Sequence, residues 1–248
     1  MPNELPALRR RTRLAPDSPA SQTEKPARQR PRWKCQANTE DELRARGYRF
    51  IAGADEVGRG SLFGAVVAAA VILSPDSPIR GLNDSKQIDP DRREILADRI
   101  RERAVAWAIA AVDASTIDRI NIYQASRLAM KSAVLQLRPA SDFVLVDAVP
   151  LDLPLPQQPL IQGDERCHVI AAASIIAKVY RDRMMREWDR FYPQYGLANH
   201  KGYQTPEHLA AIQLHGPTPM HRFSFEPVRQ NAFHSPMAQD RQMEMFAV

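Results

Sequence analysis

The sequence contains only two cysteines in 248 residues, Cys35 and Cys167, and they lie far apart along the chain. This scarcity excludes a disulfide-stapled scaffold and indicates a reducing compartment. No apolar run approaches the roughly 20 residues that a membrane-spanning helix needs. The first residues also lack the apolar core of a secretion signal. We therefore expect a cytoplasmic protein that does not span a membrane.

Positive charge is concentrated at one end of the chain. Residues 1–34 contain nine Lys and Arg against three Asp and Glu, a net charge of +6, and since the whole chain carries +5, residues 35–248 sum to −1. With six prolines and no apolar periodicity, residues 1–38 are predicted to form a disordered basic leader. A solubilising leader and a salt-sensitive tether to nucleic acid fit this composition equally well, and a transit peptide fits it less well.

The rest of the chain begins with strand-like segments and then alternates between helices and strands. YRFIAGAD and AVVAAAVIL flank a glycine-rich turn, VAWAIAAVD and FVLVDAV follow, and a long helix is predicted from about residue 166 to residue 188. This order predicts one α/β domain over residues 39–230, with a mixed central sheet flanked by helices and a helical C-terminal part. Such sheets place binding sites at the carboxyl ends of strands. Residues 231–248 are predicted to form a flexible tail.

Four acidic residues occupy positions where such a site would form. Asp55 and Glu56 end the first strand-like segment, Asp147 ends the apolar run FVLV, and Asp164 follows PLIQG. Because adjacent strand residues point to opposite faces, Asp55 and Glu56 can share a site only if the strand ends or bulges there. Four carboxylates at one sheet end would repel each other, and bound Mg²⁺ or Mn²⁺ would remove that cost. Two cations about 3.5–4 Å apart are the arrangement used for phosphoryl displacement.

Simpler interpretations exist for these residues. For any single acid, a solvated strand end is the more common case. Asp147 fits that case least, because burial in an apolar strand without a partner is expensive. The nearby glycines suggest a dinucleotide-binding loop, but Phe63 occupies the position of the third glycine and Gly64 comes one residue late.

Several long motifs cover roughly residues 40–230 and read GADEVGRGSLFGAVVAAAVIL, LNDSKQI, FVLVDA, QGD, AAASIIAKVYRDRMM and HKGYQTPEHL. In their order and spacing, these motifs together resemble the ribonuclease HII family. The resemblance implies a ribonuclease H-like fold and a site for two Mg²⁺ or Mn²⁺ ions formed by Asp55, Glu56, Asp147 and Asp164. It also implies hydrolysis of the RNA strand of RNA–DNA hybrids and nicking of duplex DNA 5′ of an embedded ribonucleotide. The products would carry 3′-hydroxyl and 5′-phosphate ends.

The same resemblance assigns further residues to substrate binding. Gly58, Arg59 and Gly60 would read the 2′-hydroxyl, largely through backbone groups. Tyr203 would pack on the sugar next to the ribonucleotide. Phosphate contacts are expected from the DSK loop and from one polar stripe of the long helix, which supply Ser85, Lys86, Ser174, Lys178 and Arg181. By spacing alone, a solvated helix face fits that stripe equally well.

Two positions depart from the family's pattern, and two other functions compete with the one it implies. Ala148 stands where the family usually has glycine, and Ala65 where it usually has proline, which puts loop geometry in question rather than chemistry. One competing function is a catalytically silent nucleic-acid binder, which the presence of all four acids disfavours. The other is a DNA-only nuclease, which the GRG stretch and Tyr203 disfavour.

The C-terminal stretch QMEMF resembles the short motif by which bacterial replication and repair proteins dock on the sliding clamp. Gln242 would hydrogen-bond at the rim of an apolar pocket that Met245 and Phe246 would fill. A five-residue pattern is weak evidence, and an apolar end that folds back on the domain is the alternative. Apart from this partner and the nucleic acid, we expect a monomer.

Overall fold

The computed structural model describes residues 37–232. These include all of the predicted catalytic domain, residues 39–230. Most of the predicted basic leader, and the tail with Gln242, Met245 and Phe246, lie outside the described residues, so the predictions made for them stay predictions.

Five strands form one mixed sheet in the order β3-β2-β1-β4-β5. They are β1 (Ile51–Val57), β2 (Val66–Leu73), β3 (Ala104–Val112), β4 (Phe143–Asp147) and β5 (Gln157–Leu160). Strand β2 is antiparallel to both β1 and β3, whereas β1, β4 and β5 run parallel. The predicted mixed sheet is therefore confirmed. Its parallel half brings the carboxyl ends of β1 and β4 to the same edge.

Nine α-helices occur within the described part of the chain, and none of them is long and apolar enough to cross a membrane. They are α1 (Asn38–Ala45), α2 (Pro90–Arg103), α3 (Ala114–Ile120), α4 (Ile122–Leu135), α5 (Gly163–Arg166), α6 (His168–Phe191), α7 (Leu197–His200), α8 (Pro206–His215) and α9 (Glu226–Ala232). The flanking helices and the helical C-terminal part agree with the prediction. Helices α3, α5, α7 and α9 are not predicted by the sequence pattern, and α6 begins and ends slightly later than expected.

Strand β2 is buried along nearly its whole length because helices cover both faces of the sheet. Its alternate residues pack into two separate apolar clusters, one with α4 and the other with α2 and α6. Helix α6 lies very close to β1, since a Cβ atom at Gly53 would fall 2.1 Å from the backbone of Val169. The first turns of α6 are therefore held beside the acidic end of β1.

Two helix caps fix the loops that border this end of the sheet. The Asp89 side chain accepts a hydrogen bond from the backbone of Asp91 at the start of α2, directly after the DSK loop. The Thr205 side chain accepts one from the backbone of His208 at the start of α8, directly after Tyr203. Both are the hydrogen bonds that an N-cap residue makes.

Candidate active site

Four acidic side chains line one cavity of about 530 Å³ at the carboxyl ends of β1 and β4. Asp55 and Glu56 belong to β1, Asp147 is the last residue of β4, and Asp164 lies in the short helix α5. The cavity is also lined by Gly58, Arg59, Gly60, Ser85, Lys86, Ser174, Lys178 and Tyr203. Of the site residues predicted within the described range, only Arg181 lies away from the cavity wall.

The two adjacent acids of β1 reach the same cavity because the sheet opens beside them. Strand β1 neither ends nor bulges at Asp55, since its pairing with β2 continues in register to Val57. Its pairing with β4, however, stops at Ala54 opposite Val146. The prediction that the strand ends or bulges there is therefore wrong. Instead, the separation of β1 from β4 gives both Asp55 and Glu56 access to the cavity.

The QGD stretch holds Asp147 and places Asp164. The backbone N–H of Gly163 donates to Asp147 Oδ1 at 2.8 Å. A side chain at Gly163 would collide with Ile170, whose Cδ1 lies 2.5 Å from the position of a Cβ atom. Close packing against α6 therefore accounts for the glycine, and the backbone bond accounts for the fixed orientation of the Asp147 carboxylate.

Burial and mutual repulsion disfavour the charged forms of these acids. Burial, followed by repulsion from Glu56 and Asp147, raises the pKa of Asp55 well above its usual value. Burial, followed by repulsion from Asp84 and Asp147, raises the pKa of Asp164 to about 6. Burial is also the main cause that raises the pKa values of Glu56 and Asp147. The protein alone therefore holds four ionised carboxylates here only at a cost.

The cations of the protein offset only part of this charge. Lys178 Nζ lies 2.7 Å from Asp182 Oδ1, so its charge is directed to an acid outside the four. Arg59 Nη1 lies 3.3 Å from Glu56 Oε1, and the Arg59 side chain is about half exposed. These contacts leave an excess of negative charge in the cavity.

The DSK loop is tied to the start of α6. The hydroxyl groups of Ser85 and Ser174 are buried and lie 2.9 Å apart, so they hydrogen-bond to each other. The backbone N–H of Lys86 donates to Asp84 Oδ1 at 2.9 Å. Burial opposes the charged form of the Lys86 side chain, but the surrounding carboxylates, Asp84 first, raise its pKa. Lys86 is therefore the cation of this loop that faces the acids.

The donor set fits hard divalent cations that are shared with a phosphate ligand. Within residues 37–232, no group of three or more His, Cys, Asp or Glu side chains is arranged to hold a metal ion by itself. Mg²⁺ usually binds through one or two carboxylates together with waters and substrate phosphates, rather than in an all-protein cage. Carboxylates spread along one cavity wall match that mode of binding.

Arg181 takes a different place from the one predicted. Its side chain is wholly buried, and it donates to Ser61 Oγ at 2.7 Å, to Phe63 O at 3.2 Å and to Lys201 O at 2.9 Å. Its guanidinium carbon lies 5.5 Å from the centroid of the Tyr203 ring. Because its donors are used inside the protein, the phosphate contact predicted for Arg181 is not supported. The residue instead joins the loop after β1 to the segment that carries Tyr203.

A second buried arginine, Arg222, supports the same loop and is not predicted by any motif. Its Nε donates to Gly64 O at 2.9 Å and its Nη1 to Arg59 O at 2.7 Å. Its Nη2 is buried and has no hydrogen-bond partner among the described residues. Burial, followed by repulsion from Arg181, lowers the pKa of Arg222 to about 9. The loop backbone therefore rests on two buried guanidinium groups.

The fold accounts for one glycine of the GRG stretch but not for the other. Gly58 has a φ of +90°, and a Cβ atom there would lie 2.2 Å from Arg181 Nε. At Gly60, a Cβ atom would meet no atom within 4 Å. Packing and backbone conformation thus explain Gly58, whereas the side of Gly60 that a side chain would occupy is open.

The two departures from the family's pattern are accommodated. Ala148 has a φ of +58°, the left-handed conformation that glycine adopts most easily, and its N–H donates to Leu160 O at 3.0 Å. Ala65 contributes its carbonyl oxygen to Arg181 Nε at 3.3 Å. A proline at residue 65 would present the same carbonyl. Both loops therefore keep a defined geometry with alanine.

Solved structures share this architecture. The ribonuclease H2 of Pyrococcus horikoshii matches with a TM-score of 0.63 and 25% identity, over 74% of this chain and 97% of that chain. A structure of the PCNA:RNase HII complex from Archaeoglobus fulgidus matches with a TM-score of 0.56 and 27% identity, over 66% of this chain and 85% of that chain. The protein therefore has the ribonuclease H-like α/β fold, with its acids at the carboxyl ends of the parallel strands.

Sequence comparison narrows this class to one family. The ribonuclease HII family profile matches residues 52–228. A ribonuclease HII of Solibacter usitatus is 68% identical over 215 residues, which cover 87% of this chain and 94% of that protein. A ribonuclease HII of Geobacillus kaustophilus is 55% identical over 199 residues, covering 80% and 76%. The chain belongs to the ribonuclease HII family, and it is a hydrolytic endonuclease of the ribonuclease H type.

The two glycines of the GRG stretch provide a matched test of the loop. Gly58→Ala should lower the free energy of unfolding by roughly 1–3 kcal/mol, because it forces a strained backbone and a clash with Arg181. Gly60→Ala should change it by less than about 0.5 kcal/mol, as expected of an open surface site. Urea unfolding of both variants checks this. Equal losses of stability would contradict the assigned role of Arg181.

Proposed function

We propose that this protein hydrolyses the RNA strand of RNA–DNA hybrids and nicks duplex DNA on the 5′ side of an embedded ribonucleotide. In this proposal, Asp55, Glu56, Asp147 and Asp164 hold two divalent cations, Mg²⁺ or Mn²⁺. The observation that carries the proposal is that these four carboxylates share one cavity with the open side of Gly60. A cytoplasmic location and a monomeric state stay predictions.

The proposed reaction is an in-line displacement at phosphorus. A water oxygen forms a bond to the phosphorus 5′ of the ribonucleotide as the bond to the 3′-oxygen of the preceding nucleotide breaks. The leaving oxygen ends as a 3′-hydroxyl and the ribonucleotide keeps a 5′-phosphate. When bound, the cations ease the deprotonation of water and the build-up of charge on the leaving oxygen. The four acids position the cations and do not act as nucleophiles.

Recognition of the ribonucleotide is proposed to use backbone and ring contacts beside the acids. A 2′-hydroxyl is the group that distinguishes RNA from DNA at a single position. The open side of Gly60 allows close approach of a sugar to the main chain. The Tyr203 ring lines the cavity and rests near the Arg181 guanidinium, so one face of the ring is supported by the protein. The other face is proposed to pack on the neighbouring sugar.

Phosphate contacts are proposed mainly for Lys86. The Lys86 side chain lines the cavity, whereas Lys178 is directed to Asp182, and Ser85 and Ser174 bond to each other. A strand bound in the cavity would bring its own phosphate charge to Lys86. Arg181 does not belong to this group, because its donors are used inside the protein.

Replacing one acid tests the proposed site. Asp147→Asn keeps the side-chain shape but removes a charge that the cations need, so cleavage should fall by roughly 1000-fold, about 4 kcal/mol in activation free energy. Binding of the hybrid should be largely retained. The exposed Asp152, which pairs with Lys131 on the surface, provides the control variant Asp152→Asn, which should cleave at the parent rate.

The assay uses a DNA duplex with one ribonucleotide and an all-DNA duplex of the same sequence, each with Mg²⁺, Mn²⁺ or chelator. We expect cleavage only at the ribonucleotide and only with cation. Binding without cleavage would favour a catalytically silent binder. Cleavage of the all-DNA duplex would favour a DNA nuclease, and near-parent activity of Asp147→Asn would remove Asp147 from the site.

Tyr203→Ala tests the selection of a junction. It should slow nicking at a single embedded ribonucleotide by roughly tenfold more than it slows cleavage of a long hybrid, about 1.4 kcal/mol of discrimination. A long hybrid offers many registers and needs less sensing of a junction. Tyr123→Ala, at an exposed tyrosine on α4 outside the cavity, is the control. Equal losses of cleavage rate on both substrates would show that Tyr203 does not select the junction.

We also propose that the C-terminal tail docks on the sliding clamp through Gln242, Met245 and Phe246. Two observations support this: the QMEMF pattern, and the complex with PCNA, a sliding clamp, described for the Archaeoglobus fulgidus enzyme. In a titration with purified clamp, the full chain should bind and the double variant Gln242→Ala, Phe246→Ala should not. Gln239→Ala, just outside the pattern, should bind normally. Equal binding by all three proteins, or by none, would rule out this docking peptide.

A further inference from the structure

Two fully buried histidines connect the segment of Tyr203 to the segment of Arg222. His208 lies in the first turn of α8, and its Nδ1 is 3.0 Å from Tyr203 O. His221 immediately precedes Arg222, and its Nδ1 is 2.9 Å from the backbone nitrogen of Thr218. The Nε2 atoms of the two rings are 3.3 Å apart. The rings therefore form a continuous hydrogen-bonded chain between two loops.

The partners at the two ends of this chain fix where its protons lie. The N–H of Thr218 can only donate, so Nδ1 of His221 accepts and a neutral His221 carries its proton on Nε2. That proton is donated to Nε2 of His208, whose own proton must then be on Nδ1. Nδ1–H of His208 donates to the Tyr203 carbonyl, which can only accept. Starting from Tyr203 gives the same assignment, so both tautomers are determined.

All the hydrogen bonds of this histidine pair can form only while both rings are neutral. A proton added to His208 would place two N–H groups against each other at the contact between the Nε2 atoms. A proton added to His221 would go to Nδ1 and would face the N–H of Thr218. Burial lowers the pKa of His208 to about 4 and that of His221 to about 3, in line with this requirement. The titratable groups that face the pair are His200, stacked on His208 at 4.5 Å, and Tyr195, whose ring centroid lies 5.0 Å from that of His221.

Both ends of the hydrogen-bonded histidine pair are connected to residues of the cavity. On one side, the Tyr203 ring lines the cavity wall, and its carbonyl is held by His208. On the other side, Arg222 follows His221 directly and donates to the backbone oxygen of Arg59 in the GRG stretch. The histidine chain therefore runs between the two elements that flank the proposed position of the ribonucleotide.

We infer that His208 and His221 are positioning residues for substrate selection. They fix Tyr203 relative to the GRG stretch through the Tyr203 carbonyl, and thereby set the preference for a single embedded ribonucleotide. This inference rests on the role proposed above for Tyr203. Neither histidine touches the substrate.

Two amide variants of His208 test the inference. The side-chain nitrogen of Asn falls near the position of Nδ1, so His208→Asn can keep the donor to Tyr203. The amide of Gln falls near Nε2, so His208→Gln keeps the contact with His221 but loses Tyr203. The readout is the rate at a single ribonucleotide divided by the rate on a long hybrid. His208→Gln should lower this ratio roughly fivefold, whereas His208→Asn should stay near the parent value.

A purely structural role predicts the opposite ranking, because Gln is closer to His in volume. In a Tyr203→Ala background, His208→Gln should cause no further change in the ratio, because the effect passes through Tyr203. If Tyr203→Ala alone leaves the ratio unchanged, the role proposed for Tyr203 fails and this inference fails with it. Two results would overturn this inference alone, provided that Tyr203→Ala lowers the ratio. One is that His208→Gln and His208→Asn give the same ratio. The other is that His208→Gln changes the ratio equally in the parent and in the Tyr203→Ala background.

A measurement on the parent protein covers the case in which these variants do not fold. Long-range ¹H–¹⁵N correlation spectra distinguish the two neutral tautomers of histidine. His208 should be protonated on Nδ1 and His221 on Nε2, and both should stay neutral at pH 5.5. A Nε2–H tautomer at His208, or protonation of either ring with a pKa near 6.5, would overturn the inference.

Discussion

The feature on which the rest of this structure depends is the crowding of acidic groups at the open end of the sheet. Strands β1 and β4 are parallel neighbours, so their carboxyl ends meet, and their pairing stops where the acids begin. Asp55, Glu56 and Asp147 are thereby brought into one cavity, and α5 adds Asp164. Burial and repulsion raise their pKa values together. Such a site is costly for the protein alone and becomes favourable when divalent cations and a phosphate strand share it.

Behind the acids, a second layer of side chains bonds to backbone rather than to substrate. Arg181 and Arg222 are wholly buried and direct their donors mainly to carbonyl oxygens of the loop after β1. Buried cations of this kind are costly unless their hydrogen bonds are well made. Attraction to Asp182 offsets part of that cost for Arg181, and attraction to Asp118 offsets part of it for Arg222. The shape of the loop after β1 therefore depends on the hydrogen bonds of two buried arginines.

The sequence predicts the acids well and their surroundings poorly. Asp147 stands out because it ends an apolar strand, and local patterns predict strands β1 to β4 and the five longest helices. The burial of Arg181 is not predicted. Helical spacing predicts the face of the helix on which a side chain lies, but not which other segments cover that face. Arg222, His208 and His221 are missed because bonds from side chain to distant backbone leave no periodic signal. The opening between β1 and β4 depends on long-range pairing, which local spacing does not encode.

The most direct test of the account is the thermal stability of the parent protein and of Asp164→Asn, with chelator and with Mn²⁺. Because the folded pKa of Asp164 is raised to about 6, its ionised form destabilises the metal-free protein at pH 7.5. With chelator, Asp164→Asn should therefore melt higher than the parent at pH 7.5, and the difference should shrink as the pH falls through 6 towards 4. Mn²⁺ should raise the melting temperature of the parent more than that of the variant. A variant that melts lower at every pH, or a parent unaffected by Mn²⁺, would contradict the account.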